Sequence, residues 1–166
     1  MPRARQAVFQ SRVRWTGSYV PGQTGGRSYT RDMLVEPDGK PPIPGSAGAH
    51  YFGDDARYNP EDLMLASLAE CHLLTYLALA AKAGIRLWSL RVEIEGTLGV
   101  IEGKTRFERA TVVPVTGVVD PAQREAALAL HRDAHEQCFM SNSVNFPIEV
   151  QARVDVEAAA QGDPAP

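Results

Sequence analysis

Cys71 and Cys138 are the only two cysteines among the 166 residues, and a pair of thiols can carry chemistry that the other side chains cannot. A thiolate that attacks a peroxide oxygen becomes a sulfenic acid, and a second thiol within reach condenses with it to a disulfide. The same sulfurs can instead hold a metal. His131, His135 and Cys138 follow an i, i+4, i+7 pattern and share one helical face. With Cys71 they form a candidate Cys₂His₂ zinc set. Against this, i and i+7 differ by about 10 Å in rise, so at most two of the three reach one ion comfortably. His50 and His72 carry no distinguishing signal.

Of the two thiols, Cys71 is the better first nucleophile. It falls mid-helix, where the helix dipole is weak and burial raises a thiol's pKa, so its activation needs a cation from elsewhere. Arg27 and Arg31 are four apart, and in a regular strand they point to one face. Cys138 falls at the partially negative end of a second helix, which disfavours a thiolate and suits a resolving thiol. Glu61 precedes Cys71 by ten residues, roughly 15 Å on a continuous helix. It therefore meets Cys71 only if the chain bends or another subunit presents it. Bland readings stand beside these. A cysteine on an apolar helix is more often a core residue, an arginine on a strand a solvated charge, and an acid at a helix start no more than that.

The elements that must position these groups read as α+β in the order β-β-α-β-β-α-β, with hairpins forming an antiparallel sheet against two helices. Strands are expected over 8–15 and about 27–35, with a turn at 37–39 and an ordered, Pro- and Gly-rich loop over 40–58. Asn59-Pro60-Glu61-Asp62 starts a helix, with a cap, a proline at the first position and two acids at the positive end. Gly84 ends it. Strands over 88–98 and 105–116 flank a turn at 102–104. A second helix runs from Asp120 to about Cys138, and a last strand covers about 146–156. The expected domain is 1–156, and the Ala-, Gly- and Pro-rich tail over 157–166 reads as disordered.

A net charge of −3 gives no electrostatic reason to expect nucleic acid. The longest apolar stretch, 63–83, is interrupted by Glu70, His72 and Lys82 and is read as too polar for a membrane span. No apolar h-region follows the first arginines, so no signal peptide is read. Two cysteines without one suggest a reducing, cytoplasmic compartment. The long helix is apolar on nearly all sides, more than one small domain normally buries, which points to a dimer core.

Two segments carry a resemblance. Asn59-Pro60-Glu61-Asp62-Leu63 … Ala69-Glu70-Cys71 resembles the N-P-E-x-L … A-x-C helix of the OsmC/Ohr family, the osmotically induced and organic hydroperoxide resistance proteins. Ala134-His135-Glu136-Gln137-Cys138-Phe139-Met140-Ser141-Asn142 resembles that family's A-H-x-x-C-x-x-S-N motif. The resemblance covers about residues 8–156. It implies intertwined homodimers with two long central helices between sheets, and reduction of organic hydroperoxides at the dimer interface. It implies a peroxidatic Cys71, a resolving Cys138, a glutamate at Glu61, and an arginine from the pattern Thr24-Gly25-Gly26-Arg27, with Arg31 an alternative. No cofactor or metal is implied, and the disulfide is reduced by a dithiol such as a lipoylated protein. The loop over 39–58 is longer than in compact members and points to the OsmC-like branch. Trp15 and Tyr58 are candidates to wall the pocket, or to pack. A non-catalytic stress-related or binding protein, and the zinc reading, are the alternatives.

Overall fold

The computed structural model describes residues 6–156, so the tail over 157–166 lies outside the described residues. The chain divides into two compact units, Met1–Leu63 and Met64–Pro166. In the first, strands β1 (Ser11–Trp15), β2 (Met33–Pro37) and β3 (Ile43–Gly45) form an antiparallel sheet in that order. β3 is an addition to the expected order. It pairs with β2 from within the long loop. That loop is otherwise organised by side chains: Ser46 Oγ accepts from the Asp54 N–H, and Asp55 Oδ1 from the Ala49 N–H.

The second strand lies later than expected. Gly25 adopts a left-handed φ of 60°, which only glycine adopts cheaply. It opens a 3₁₀ turn, Gly25–Arg27, closed by the Ser28 N–H and hydroxyl on the Gly25 carbonyl. Arg27 therefore sits in a turn, and it does not share a strand face with Arg31.

Helix α1 (Pro60–Lys82) begins and ends where its sequence dictates. Asn59 Oδ1 accepts from the Asp62 N–H at 2.8 Å, and the Asp62 carboxylate accepts from the Asn59 N–H at 3.1 Å, a reciprocal capping box. At the other end Gly84 has φ 68°. The Ile85 N–H reaches the Ala80 carbonyl and the Gly84 N–H that of Ala81, the two bonds of a Schellman cap. By length and hydropathy α1 is able to cross a membrane. Within the second unit, however, its residues Leu68, Cys71, His72, Tyr76 and Ala80 are buried, as in a core helix.

The second unit is built on a hairpin of β4 (Leu87–Ile101) and β5 (Lys104–Val118). Glu102 and Gly103 have φ of 52° and 75°. Two positive values in a two-residue loop are what the strand twist requires. Helix α2 (Arg124–Gln137) follows, then β6 (Ile148–Val150) and β7 (Arg153–Asp155). Both short strands pair parallel to β5, because a helical crossover returns the chain in the same direction. The second sheet is thus mixed, and the expected last strand is split in two. Tyr76, Ala80, Ile85, Val118, Ala127, Ala134 and Val154 form the core of this unit.

Candidate active site

The second unit brings the two cysteines together. Cys71 is carried on the buried side of α1, and Cys138 is the residue at which the chain leaves α2. Both are free thiols, with 6% and 0% of their surface exposed. Cys138 lies close enough to Cys71 to act on its thiol. The Ser141 N–H points at Cys138 Sγ from 3.5 Å, and the Asn142 N–H is held by the Cys138 carbonyl at 3.0 Å. The Asn142 side chain closes the same helix end on the Glu136 carbonyl. The Ser-Asn pair that follows Cys138 thus fixes the cap that presents the sulfur.

Cys71 is not activated by these neighbours. Burial pushes its thiol up, and the neighbouring Cys138 adds to this. The Met140 backbone and the Thr75 hydroxyl pull the other way without reversing it. A thiolate on Cys71 is thus not favoured by the groups around it in the second unit.

Beside the cysteines lies a polar cluster that sequence reasoning missed. His72 Nε2 is 3.2 Å from His131 Nδ1, and His131 Nε2 is 2.9 Å from Thr116 Oγ1. Tyr76 stacks on His131 with ring centroids 3.9 Å apart. Its hydroxyl donates to the Ala127 carbonyl at 3.1 Å and lies near Thr116. All four side chains are buried. The signal was available: two histidines on the buried faces of two helices satisfy each other more cheaply than either does alone.

This cluster corrects the zinc reading. Both nitrogens of His131 are engaged, and among the described residues no three His, Cys, Asp or Glu side chains converge on a metal site. His135, the third member of that set, keeps a buried Nδ1 with no partner.

Acid should weaken the second unit through this cluster. Burial, then the nearby His135, holds His72 down to about 4. Burial, then His72, holds His131 down to about 3. Both lie below the unfolded value of about 6.5. The unfolded chain therefore takes up protons first, and stability present above pH 6.5 is lost as pH falls toward 4. For His72 alone the loss is about 3 kcal/mol. Urea unfolding at pH 7 and 4.5 measures it, and the His131→Asn variant should show a weaker dependence.

The first unit holds the arginines and Glu61. Arg31 has three of its five N–H donors engaged by backbone carbonyls. Its guanidinium donates to the Gly26 carbonyl at 2.6 Å, to Tyr29 at 3.2 Å and to Phe52 at 3.3 Å. It also lies between the Tyr29 and Phe52 rings, 4.6 and 5.3 Å from their centroids. Arg27 is exposed, lies 5.4 Å from the Phe52 ring centroid, and pairs with no carboxylate among the described residues. Arg27, Arg31, Tyr29, Phe52 and Asp54 wall a cavity of about 430 Å³. Trp15 and Tyr58 do not line it. Trp15 instead donates its indole N–H to the Thr30 carbonyl at 2.8 Å, and the Tyr58 carbonyl holds the Ser46 N–H. Glu61 stands in the first turn of α1 and forms no ion pair with Arg27 within the chain. Because α1 runs unbroken from Pro60 to Lys82, no bend carries Glu61 toward Cys71.

The family model described as OsmC-like protein matches residues 53–153. The chain is 26% identical over 106 residues to the uncharacterized protein YmaD of Bacillus subtilis, covering 62% of this chain and 71% of that one. Among solved structures, an OsmC-like protein of unknown function from Vibrio cholerae matches with a TM-score of 0.77 at 26% identity, over 89% of this chain and 99% of that one. An organic hydroperoxide resistance protein from Elizabethkingia anophelis matches with a TM-score of 0.66 at 22% identity, over 92% and 98%. At that identity the likeness is one of fold.

Proposed function

The chain belongs to the OsmC-like family, and from that premise we propose that it is a thiol-dependent peroxidase that reduces organic hydroperoxides. The observation that carries this reading is the proximity of two free thiols, Cys71 and Cys138, in one buried site. Cys71 as a thiolate attacks the peroxide oxygen, the alcohol leaves, and a sulfenic acid remains on Cys71. The Cys138 thiol then displaces water from it, forming the S–S bond. An external dithiol, such as a lipoylated protein, reduces the disulfide and resets the pair in a cytoplasmic, reducing setting.

The guanidinium that Cys71 requires is assigned to Arg27. Arg31 spends three of its donors on carbonyls, whereas Arg27 is open to hold a thiolate and the charge developing on the peroxide. In the homodimer a Glu61 carboxylate orients Arg27 through a bidentate pair that the single chain does not make. Ten residues of straight helix separate Glu61 from Cys71, roughly 15 Å, which favours a site completed in a homodimer. So does the apolar outer face of α1, where Leu74 and Leu77 are 56% and 41% exposed in the single chain. Contiguous exposed apolar surface of this kind marks an association site.

Cys138→Ser should allow one round of oxidation and then stop. Mass spectrometry after one equivalent of cumene hydroperoxide should find a persistent sulfenic acid on Cys71, trapped by dimedone, with no multiple turnover. Continued turnover with a dithiol would remove the resolving role. No reaction in the unaltered protein with any hydroperoxide would favour a non-catalytic, stress-related binding protein.

A further inference from the structure

The buried cluster beside the thiols has a direction. Tyr76 spends its proton on the Ala127 carbonyl, so toward the neighbouring Thr116 its oxygen is an acceptor. Thr116 then accepts from His131 Nε2–H, which leaves His131 Nδ1 bare to accept from His72 Nε2–H. The chain of donors ends on His72 Nδ1 as an unprotonated acceptor, and that is the ring atom left without a partner. An acceptor left open costs less than a buried N–H left open, so these tautomers are mutually consistent.

The relay ties together the elements that carry the sulfurs. His72 follows Cys71 directly on α1. His131 stands seven residues before Cys138 on α2, and Thr116 anchors it to β5. Tyr76 to Ala127 forms a second tie between the helices. A disulfide needs Cβ atoms about 3.5–4.5 Å apart in a narrow range of orientations. Apolar contacts tolerate small sliding of one helix on another, whereas directional hydrogen bonds in a buried network favour one arrangement.

Resting on the redox-pair reading above, we propose that His72, His131 and Thr116 are positioning residues that hold Cys138 within bonding reach of Cys71 for the second step of the cycle. Their hydrogen bonds run to one another rather than to the sulfurs. Among the described residues the groups contacting the two rings are Thr116 on β5, Tyr76 on α1 and, electrostatically, His135 on α2; no carboxylate pairs with either. The relay therefore stays neutral at ordinary pH and its hydrogen bonds persist while the thiols react.

The test separates the two steps. Reduced protein is mixed with one equivalent of cumene hydroperoxide, and sulfenic acid and disulfide are followed by rapid quench and mass spectrometry. His131→Leu removes both bonds of the ring. It should form sulfenic acid within about twofold of the unaltered rate and disulfide at least about tenfold more slowly, with sulfinic acid accumulating under excess peroxide. His131→Asn, which restores an acceptor for His72, should recover most of the disulfide rate. Thr116→Val keeps the shape and removes only the outer partner. It should slow the disulfide step about threefold, and it decides the matter if the leucine variant fails to fold. Disulfide formation at the unaltered rate in these variants, or equal slowing of both steps, would overturn the inference while leaving the redox pair intact. Absence of a Cys71–Cys138 disulfide in the unaltered protein would remove both.

Discussion

Cys71→Ser is expected to abolish hydroperoxide turnover, a loss on the order of 10³-fold or more, since a nucleophile's removal leaves only background catalysis. Cys138, the other cysteine, is fully buried at the end of α2, and serine does not form a sulfenic acid. The substitution is nearly isosteric, so the variant should fold, and it should still titrate one free thiol per chain. The rate of cumene hydroperoxide consumption with dithiothreitol as reductant measures the effect. Retention of more than a tenth of the activity would make Cys71 a core cysteine, as its apolar helix alone suggests.

The second large effect separates two arginines. Arg27→Ala should lower kcat/KM by about 10²- to 10³-fold, the usual cost of removing a charge-stabilising donor from an active site, with little change in stability. Arg31→Ala should do the reverse. It removes three hydrogen bonds to carbonyls and the packing between Tyr29 and Phe52. The expected loss is about 1–3 kcal/mol in denaturant unfolding, with a smaller kinetic effect. If Arg31→Ala instead abolished the peroxidase rate in a stably folded protein, the roles assigned to the two residues would be exchanged.

Much of the scaffold was legible because its signals are local. Asn59-Pro60 and Gly84 bound α1, and Glu102-Gly103 places the hairpin, since caps and tight turns depend on backbone demands that a few residues meet. The features that escaped are those decided at a distance. β3 exists because β2 offers it an edge, and the parallel pairing of β6 and β7 follows from the route of α2. Arg27 and Arg31 read as one strand face by spacing. A single left-handed glycine and the carbonyls around it gave them different surroundings. In the site, the cysteine pair was singled out from motif and spacing, and both thiols are buried in the second unit. His72 was passed over because one histidine in an apolar helix means little until its partner is known, and that partner, His131, lies 59 residues away.

The most direct test of the redox pair is the mass of the protein before and after one equivalent of cumene hydroperoxide. The mechanism predicts the loss of two hydrogens and a cross-linked peptide joining Cys71 to Cys138. An unchanged mass, with both thiols still free to alkylate after denaturation, would contradict it.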